Sequence, residues 1–185
     1  MSKLPAEHKF LDLSDYGRPP ARLIANAFKG TRVTPIHVTI MFIVAGVIAI
    51  VCMLNQQLLA AAFFLILKSI LDAADGELAR VKNTPSYTGR YFDSVADIIL
   101  NLLFLYTICH ITDGSTWLTF LAFCAMQLQG TLYNYYYVIL RNKFDGDKTS
   151  RIFEDKAPTA MPGEKQRTVD NWFRMYTVCY SLFDK

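Results

Sequence analysis

Long apolar segments alternate with short polar connections along the chain. A helix needs about 20 residues to cross the hydrocarbon core of a membrane. Four segments are predicted to do so, and their approximate bounds are residues 35–54, 58–71, 91–111 and 117–140. The hydrophobic pattern therefore predicts an all-α, polytopic membrane protein with about four full spans.

The segments that flank these spans have weaker patterns. Residues 1–32 carry charges and prolines without an apolar core, so no signal peptide is expected there and the first span should remain as an anchor. Within this stretch, residues 19–31 predict an amphipathic helix on the membrane surface. Its apolar face is expected to carry Leu23, Ile24, Ala27 and Phe28.

The C-terminal part begins with a polar stretch, residues 141–168, whose Gly and Pro residues favour a loop. Residues 169–185 are aromatic and half-apolar, which fits either an interfacial helix or the start of a fifth span whose remainder is missing. The second is favoured, because a long basic loop needs a segment to which it returns. The whole chain, residues 1–185, is therefore expected to form a single membrane domain with incomplete C-terminal spans.

Basic residues are confined to every second connection. Residues 55–57 and 112–115 contain no Lys or Arg, whereas basic residues precede the first span, separate the second from the third and follow the fourth. The positive-inside rule places the N-terminus and the basic connections in the cytoplasm. A multi-pass protein is expected, lying in the inner (cytoplasmic) membrane if the source is a prokaryote.

The composition argues against several other kinds of protein, partner and site. The chain is 52% hydrophobic with a mean hydropathy of +0.22, high for a soluble protein. Its net charge of +3 is too mild to indicate a nucleic-acid partner. The four cysteines are far apart and form no C-x-x-C pair, so neither a zinc site nor a disulfide framework is indicated.

Four aspartates stand out around the second connection. Asp72 and Asp75 are three residues apart and Asp93 and Asp97 are four apart, so each pair shares one face of its helix. The turn at residues 81–88 is short enough to pair the second and third spans as an antiparallel hairpin. All four carboxylates are then expected to converge just inside the cytoplasmic surface of the membrane.

Such a cluster needs compensation. An acidic residue at mid-membrane depth costs about 2.5–3.5 kcal/mol on insertion scales, and like charges add repulsion. Hard divalent cations take oxygen ligands, and shared carboxylates can bridge two of them. The pattern therefore predicts a site for two Mg²⁺ or Mn²⁺ ions.

The residues between the two aspartate pairs suit a phosphate-containing ligand. Gly76 and Ala79 lie on or beside the Asp72/Asp75 face, and Gly89 lies one turn before the second pair. Small side chains allow close helix approach and leave room for a flat group such as a nucleobase. Arg80 follows directly, and a guanidinium there is placed to bind a phosphate.

Together these positions resemble the motif of the CDP-alcohol phosphotransferase family, D-x2-D-G-x2-A-R-x8-G-x3-D-x3-D. Every specified position is present from Asp72 to Asp97. The resemblance implies a six-span helical membrane fold, usually a homodimer, with its active site open to the cytoplasm. It also implies the reaction: an acceptor hydroxyl attacks the CDP-alcohol phosphate remote from cytidine, and CMP leaves.

The resemblance also implies roles for the matched residues. Asp72, Asp75 and Asp93 would be metal ligands, and Asp97 the general base, which would also touch a metal. The pocket for the CDP-alcohol would be formed by Asp72, Gly76, Ala79, Arg80 and Gly89. The resemblance implies CDP-diacylglycerol, a lipid donor, as the expected CDP-alcohol.

Two departures from the family pattern accompany the match. Many members have Pro-Asn at the start of the first span, whereas this chain has Thr34-Pro35-Ile36-His37. The chain also ends before a complete fifth span or any sixth. Those spans help to close the family's acceptor and lipid cavity, so this chain alone is not expected to be fully active.

The sequence does not identify the acceptor alcohol. Glycerol phosphate, inositol or inositol phosphate, serine and another polyol all fit, as does the reversed arrangement in which diacylglycerol accepts from a soluble CDP-aminoalcohol. Lys68, four residues before Asp72, could pair with that aspartate, reach an acceptor phosphate or extend to the membrane interface. With Lys82 and Arg90 it favours a phosphorylated or anionic acceptor.

Two other functions compete with the transferase. A cation transporter would use intramembrane carboxylates as ion sites, but nearer mid-membrane and on broken helices. A prenyltransferase-like diphosphate site would place its aspartate-rich motifs on soluble helices. Both fit the pattern less well than the transferase does.

Glu77 lies, by α-helical periodicity, away from the face that carries Asp72, so its side chain is expected at the surface.

Overall fold

A computed structural model describes residues 16–144, 149, 151 and 154–183. The first half of the N-terminal segment, where no signal peptide was expected, lies outside these residues. Within them the chain is entirely helical. The six helices are α1 Arg18–Phe28, α2 Pro35–Leu54, α3 Leu58–Lys82, α4 Tyr87–Ile111, α5 Thr116–Lys143 and α6 Gln166–Tyr180.

Local signals explain where the helices around the aspartates begin and end. The Thr34 and His37 side chains form a capping box at the start of α2, with Pro35 in the first turn. Asn83 ends α3 in the left-handed conformation, at φ 52°. Ser86 caps α4 by accepting a hydrogen bond from the Gly89 backbone N–H. The predicted hairpin between the two aspartate pairs is therefore present.

The predicted bounds agree closely for α2 and less well for its neighbours. The helix α2 has the predicted residues 35–54, whereas α3 continues to Lys82 and α4 begins at Tyr87. The apolar residues cover only part of each of these helices, because polar residues at the helix ends also form hydrogen bonds within the helix. All the aspartates of the motif consequently lie on regular helices.

Two of the described helices are long and apolar enough to cross a membrane, α2 and α4. The helix α3 carries the charged residues of the motif, and α6 has 15 residues, fewer than the about 20 of a full span. The architecture is that of a helical membrane protein, and the count of four full spans stays a prediction.

The helix α1 packs against the C-terminal half of α3. Ala21 and Ala25 are buried against Val38, Ala74 and Leu78, with Ile24 and Phe28 at the edge of this cluster. Leu23 is 73% exposed and Ala27 is exposed as well, so these two residues do not pack against the protein, and the placement of α1 on a membrane surface stays a prediction. Small residues face the protein because they let α1 approach α3 closely.

The helices α2 and α4 approach closely at Gly46. A Cβ atom at this position would lie 2.9 and 3.0 Å from the two Cδ atoms of Leu100, and 3.4 Å from the Phe104 ring. Leu100 is 3% exposed, so it has little room to move. Gly46 therefore sets the distance between the first membrane helix and the helix that carries Asp93.

The segment before α6 folds back onto the start of α4. The Glu164 carboxylate accepts hydrogen bonds from the Ser86 hydroxyl at 2.8 Å and from the backbone N–H groups of Tyr87 and Thr88 at 3.1 and 2.8 Å. These N–H groups lie in the first turn of α4, where an anion also interacts favourably with the helix dipole. Glu164 thus fixes the C-terminal segment against α4.

We expect Gly46→Val to lower the free energy of unfolding by about 1–3 kcal/mol, because the added methyl groups overlap Leu100 and Phe104. Gly130→Val in α5 is the matched control, since no heavy atom lies within 4 Å of a Cβ built there. Thermal unfolding of both variants in detergent is the measurement. Equal losses at the two positions would contradict the role given to Gly46.

Acid should weaken the attachment made by Glu164. Burial alone would raise the pKa of Glu164, but hydrogen bonds from Thr88, Ser86 and Tyr87 outweigh it and hold the pKa below its usual 4.5. A carboxyl group with a lowered folded-state pKa contributes stability above its unfolded pKa and loses it as the pH falls through the folded value.

We therefore expect the difference in melting temperature between the wild type and Glu164→Gln to be largest above pH 4.5 and to shrink in more acidic buffer. Melting curves of both proteins across a pH series measure it. A difference that stays constant, or grows on acidification, would show that the ionised carboxylate has no stabilising role.

Candidate active site

Three carboxylates meet where α3 and α4 leave their connecting turn. Asp72 and Asp75 come from α3 and Asp93 from α4, and each offers one oxygen within 4.8 Å of the others. Asp75 is buried, while the other two are half-buried. The predicted convergence is therefore present for three of the four aspartates of the motif.

The arrangement fits a divalent cation. Asp93 Oδ1 is buried and has no hydrogen-bond partner among the described residues. Leaving such an oxygen unpaired costs about 1–3 kcal/mol, and more when the group is charged. Three carboxylates at this spacing also repel one another, and hard cations such as Mg²⁺ and Mn²⁺ take oxygen ligands of this kind. Asp72, Asp75 and Asp93 are thus the residues that could hold the metal.

A hydroxyl from α2 orients one of these ligands. Thr39 Oγ1 donates to Asp75 Oδ2 at 2.7 Å, and Thr39 is 2% exposed. Such a contact fixes which oxygen of the carboxylate faces the other ligands. Sequence reasoning missed Thr39. The available signal was a polar residue in an otherwise apolar span, one turn after Pro35.

Asp97 lies beside this group and has different partners. The Lys68 ammonium donates to its Oδ1, and the Asn101 amide donates to Oδ2 at 3.3 Å. The same ammonium is 3.7 Å from Asp72 Oδ2 and 5.0 Å from the centre of the Phe42 ring. Lys68 therefore contacts Asp72, which was one of the alternatives that the sequence left open, and also Asp97 on the neighbouring helix. Asn101 was missed because it lies outside the motif.

The small residues and the arginine of the motif lie along the turn side of this group. A Cβ atom at Gly76 would lie 3.7 Å from both Nη atoms of Arg80, and one at Gly89 would lie 3.2 Å from Ser86 Oγ. The Ala79 carbonyl accepts the Thr84 N–H at the end of α3. The Arg80 guanidinium therefore lies beside Gly76.

The other two cations predicted for the acceptor contact neighbouring connections. Lys82 Nζ donates to the backbone carbonyls of Thr31 and Val33, at 2.8 and 2.6 Å. Arg90 pairs with Glu154 at 2.5 Å and donates to the Thr149 carbonyl at 2.7 Å. These contacts attach the α1–α2 connection and the segment before α6 to the motif.

The expectation that Glu77 is at the surface was wrong. Glu77 is 2% exposed, and its Oε1 lies 3.1 Å from Arg80 Nη2 and 3.8 Å from Arg22 Nε. The helical position does point away from Asp72, as argued from periodicity. That side of α3, however, is covered by α1, whose packing could not be derived from the periodicity of α3 alone.

The helices and the carboxylate group together define a helical membrane protein with a site suited to a divalent cation. Residues 32–161 match the sequence profile named CDP-alcohol phosphatidyltransferase, and the chain belongs to that family. The matched region contains α2 to α5 and so the whole motif. Members are membrane-embedded, generally depend on divalent metals, and act on a CDP-alcohol and an alcohol acceptor.

The chain is also similar to a protein of Thermococcus kodakarensis, the "Bifunctional IPC transferase and DIPP synthase". The two are 29% identical over 153 residues, which is 82% of this chain and 34% of the relative. This chain thus spans about a third of the length of that protein. The similarity supports the family assignment and leaves the particular substrates undefined.

We expect Thr39→Val to weaken Mn²⁺ binding by about 10- to 100-fold, because loss of a contact that orients a metal ligand has effects of this size. Thr107→Val is the matched control, since Thr107 is also buried but donates to the Leu103 carbonyl within its own helix. Titration of purified protein with Mn²⁺, followed by electron paramagnetic resonance, measures both affinities. Equal Mn²⁺ affinities in the two variants would rule out the orienting role.

Proposed function

We propose that this chain transfers a phosphoalcohol group from a CDP-alcohol to an acceptor alcohol and releases CMP, as a step of phospholipid biosynthesis. With CDP-diacylglycerol as donor, the transferred group is phosphatidyl. The observation that carries the proposal is the meeting of Asp72, Asp75 and Asp93 at ligand spacing, beside Asp97, in a chain of this family.

The donor diphosphate would bind over the three carboxylates. Two Mg²⁺ or Mn²⁺ ions, when bound, would neutralise the diphosphate and the departing CMP. Asp72, Asp75 and Asp93 would hold these ions, and Asp97 is proposed to reach them as well. Thr39 keeps Asp75 in a fixed orientation through its 2.7 Å hydrogen bond.

The nucleotide end of the donor is assigned to the turn side of the site. Gly76, Ala79 and Gly89 carry side chains too small to fill that space, which suits a flat base and its diphosphate. Arg80 is half-buried and offers its guanidinium beside Gly76, where it can bind a phosphate oxygen. Asp72 is proposed to contact the donor as well as a metal.

Asp97 is assigned as the general base. It accepts the proton of the acceptor hydroxyl, whose oxygen forms a bond to the phosphorus remote from cytidine as the bond from that phosphorus to CMP breaks. Lys68 and Asn101 hold its two oxygens, so the carboxylate is oriented before the acceptor binds. A positioned base of this kind contributes about 10²–10⁴ in rate.

The acceptor site is placed around Lys68. Its ammonium lies between Asp72 and Asp97 and is 8% exposed, so it is a cation inside the site. Lys82 and Arg90 contact loop carbonyls and Glu154, and their assignment to acceptor binding requires those contacts to open. A phosphorylated or anionic acceptor is the class that this arrangement favours.

The surroundings of the site follow from the positive-inside pattern and the family. The active site is proposed to face the cytoplasm, with the acyl chains of the donor in the membrane and the protein acting as a homodimer. The Thermococcus relative is named as a transferase and a synthase, and the transferase class alone is carried over to this chain.

The proposal is tested with purified protein, CDP-diacylglycerol, Mn²⁺ or Mg²⁺ and a panel of acceptors: glycerol phosphate, inositol, inositol phosphate and serine. The reversed arrangement is tested with a CDP-aminoalcohol and diacylglycerol. Release of CMP that depends on both the metal and one acceptor is the expected result. A wild-type protein that neither releases CMP nor binds any CDP-alcohol would refute the assignment.

We expect Asp97→Asn to lower kcat by about 10²–10⁴-fold, because the amide cannot take up the proton of the acceptor. The Kd for the CDP-alcohol should change little, because Asp72, Asp75 and Asp93 would still hold the metal ions. Asp113→Asn, a change at an exposed position of the α4–α5 connection, is the matched control and should keep normal turnover. Near-normal turnover in Asp97→Asn would mean that another group is the base.

A further inference from the structure

The buried carboxylate of Glu77 has no role in the motif or in the chemistry described so far. Its side chain is 3% exposed, and it lies on α3 between the metal ligand Asp75 and Arg80. Oε1 contacts two guanidinium groups, at 3.1 Å from Arg80 Nη2 and 3.8 Å from Arg22 Nε. Glu77 therefore connects the helix α1 to the arginine assigned to the donor phosphate.

The geometry holds the Arg80 guanidinium in one place. Both of its Nη atoms lie 3.7 Å from the position of a Cβ at Gly76, an ordinary contact distance, and Nη2 lies 3.1 Å from Glu77 Oε1. The Arg80 side chain is 24% exposed and can still be reached by a ligand. A guanidinium has five N–H donors, so donors of the Nη groups remain for an anion while Glu77 is bound.

Stability alone does not account for a carboxylate here. Glu77 Oε2 and Arg80 Nε are both buried without a hydrogen-bond partner among the described residues. A buried ion pair that is incompletely hydrogen-bonded often stabilises a protein less than apolar residues of similar volume would. The charge at this position is better explained by the orientation that it imposes on Arg80.

The helix α1 maintains this pair by excluding water. Ala21 and Ala25 are fully buried against Ala74 and Leu78, which flank Glu77 on α3. An ion pair shielded from water is less screened and holds its geometry more firmly. The helix α1 precedes the region matched by the family profile, so nothing in that match assigns it a part in the site.

We propose that Glu77 is a positioning residue of the donor site, which fixes the Arg80 guanidinium beside Gly76, and that α1 encloses this pair. This inference rests on the proposed function, because it assumes that Arg80 binds the donor diphosphate. Without Glu77, the guanidinium would be attracted to the metal-site carboxylates on the same helix instead.

Binding of CDP in the presence of Mn²⁺, measured by calorimetry on the detergent-solubilised chain, tests the inference. We expect Glu77→Gln to weaken CDP binding about tenfold with little change in melting temperature. Arg22→Gln is the matched control: it removes the α1 end of the ion pair and leaves Arg80 and Glu77 together. It should stay within about twofold of the wild type.

A double variant separates positioning from a direct effect. If Glu77 acts through Arg80, adding Glu77→Gln to Arg80→Gln should weaken CDP binding no further. Losses that add, or CDP binding by Glu77→Gln that equals or exceeds that of the wild type, would overturn the inference. An equal loss in Arg22→Gln would also do so, since it would show that Glu77 only attaches α1 to α3.

A Glu77→Gln variant that does not fold and a wild type that does not bind CDP have different meanings. If Glu77→Gln does not fold, Glu77→Asp decides the matter, because it keeps the charge but withdraws it from Arg80 by one methylene. It should bind CDP more weakly than the wild type, and full affinity would overturn the inference. If the wild type itself binds no CDP, the proposed function fails, and the role of Glu77 in positioning a donor-binding arginine fails with it.

Discussion

Mutual repulsion among acidic side chains held close together inside a membrane protein is the constraint on which this structure depends. Asp72, Asp75 and Asp93 each offer one oxygen within 4.8 Å of the others, and even one unpaired carboxylate is costly inside a membrane. The fold opposes that repulsion with local partners, the Thr39 hydroxyl on Asp75 and the Lys68 ammonium near Asp72. The remaining charge is what makes the place suitable for cations.

The packing around the site fixes the positions of these side chains relative to one another. On one side, Gly46 allows α2 to lie against Leu100 of α4, and α2 brings Thr39 to Asp75. At the start of α4, the helix that carries Asp93, Glu164 accepts hydrogen bonds from the first backbone N–H groups. Elements remote in sequence thus support a group of atoms only a few ångströms across.

Much of this arrangement could be predicted because its signals are local. Thr34-Pro35 begins α2, and the spacing of the aspartates places each pair on one helical face. Hydrophobicity also identified the helices, although it placed the ends of α3 and α4 several residues from where they are. Hydropathy does not indicate whether a helix continues through the polar residues that follow an apolar segment.

The contacts that could not be predicted all join separate elements. Thr39 in an apolar helix has the same local pattern whether it bonds its own backbone, as Thr107 does, or a carboxylate on another helix. Glu77 was misplaced because its surroundings depend on how α1 packs across α3. Such contacts are decided by tertiary structure, which periodicity within one helix does not contain.

The lysine beside Asp97 also has a consequence for the net charge of the site. With Lys68 protonated, the four aspartates of the motif and this lysine carry a net charge of −3 rather than −4 when every aspartate is ionised. Two divalent ions would then overcompensate the cluster by a single positive charge, and an anionic nucleotide would be drawn to the loaded protein in preference to the empty one.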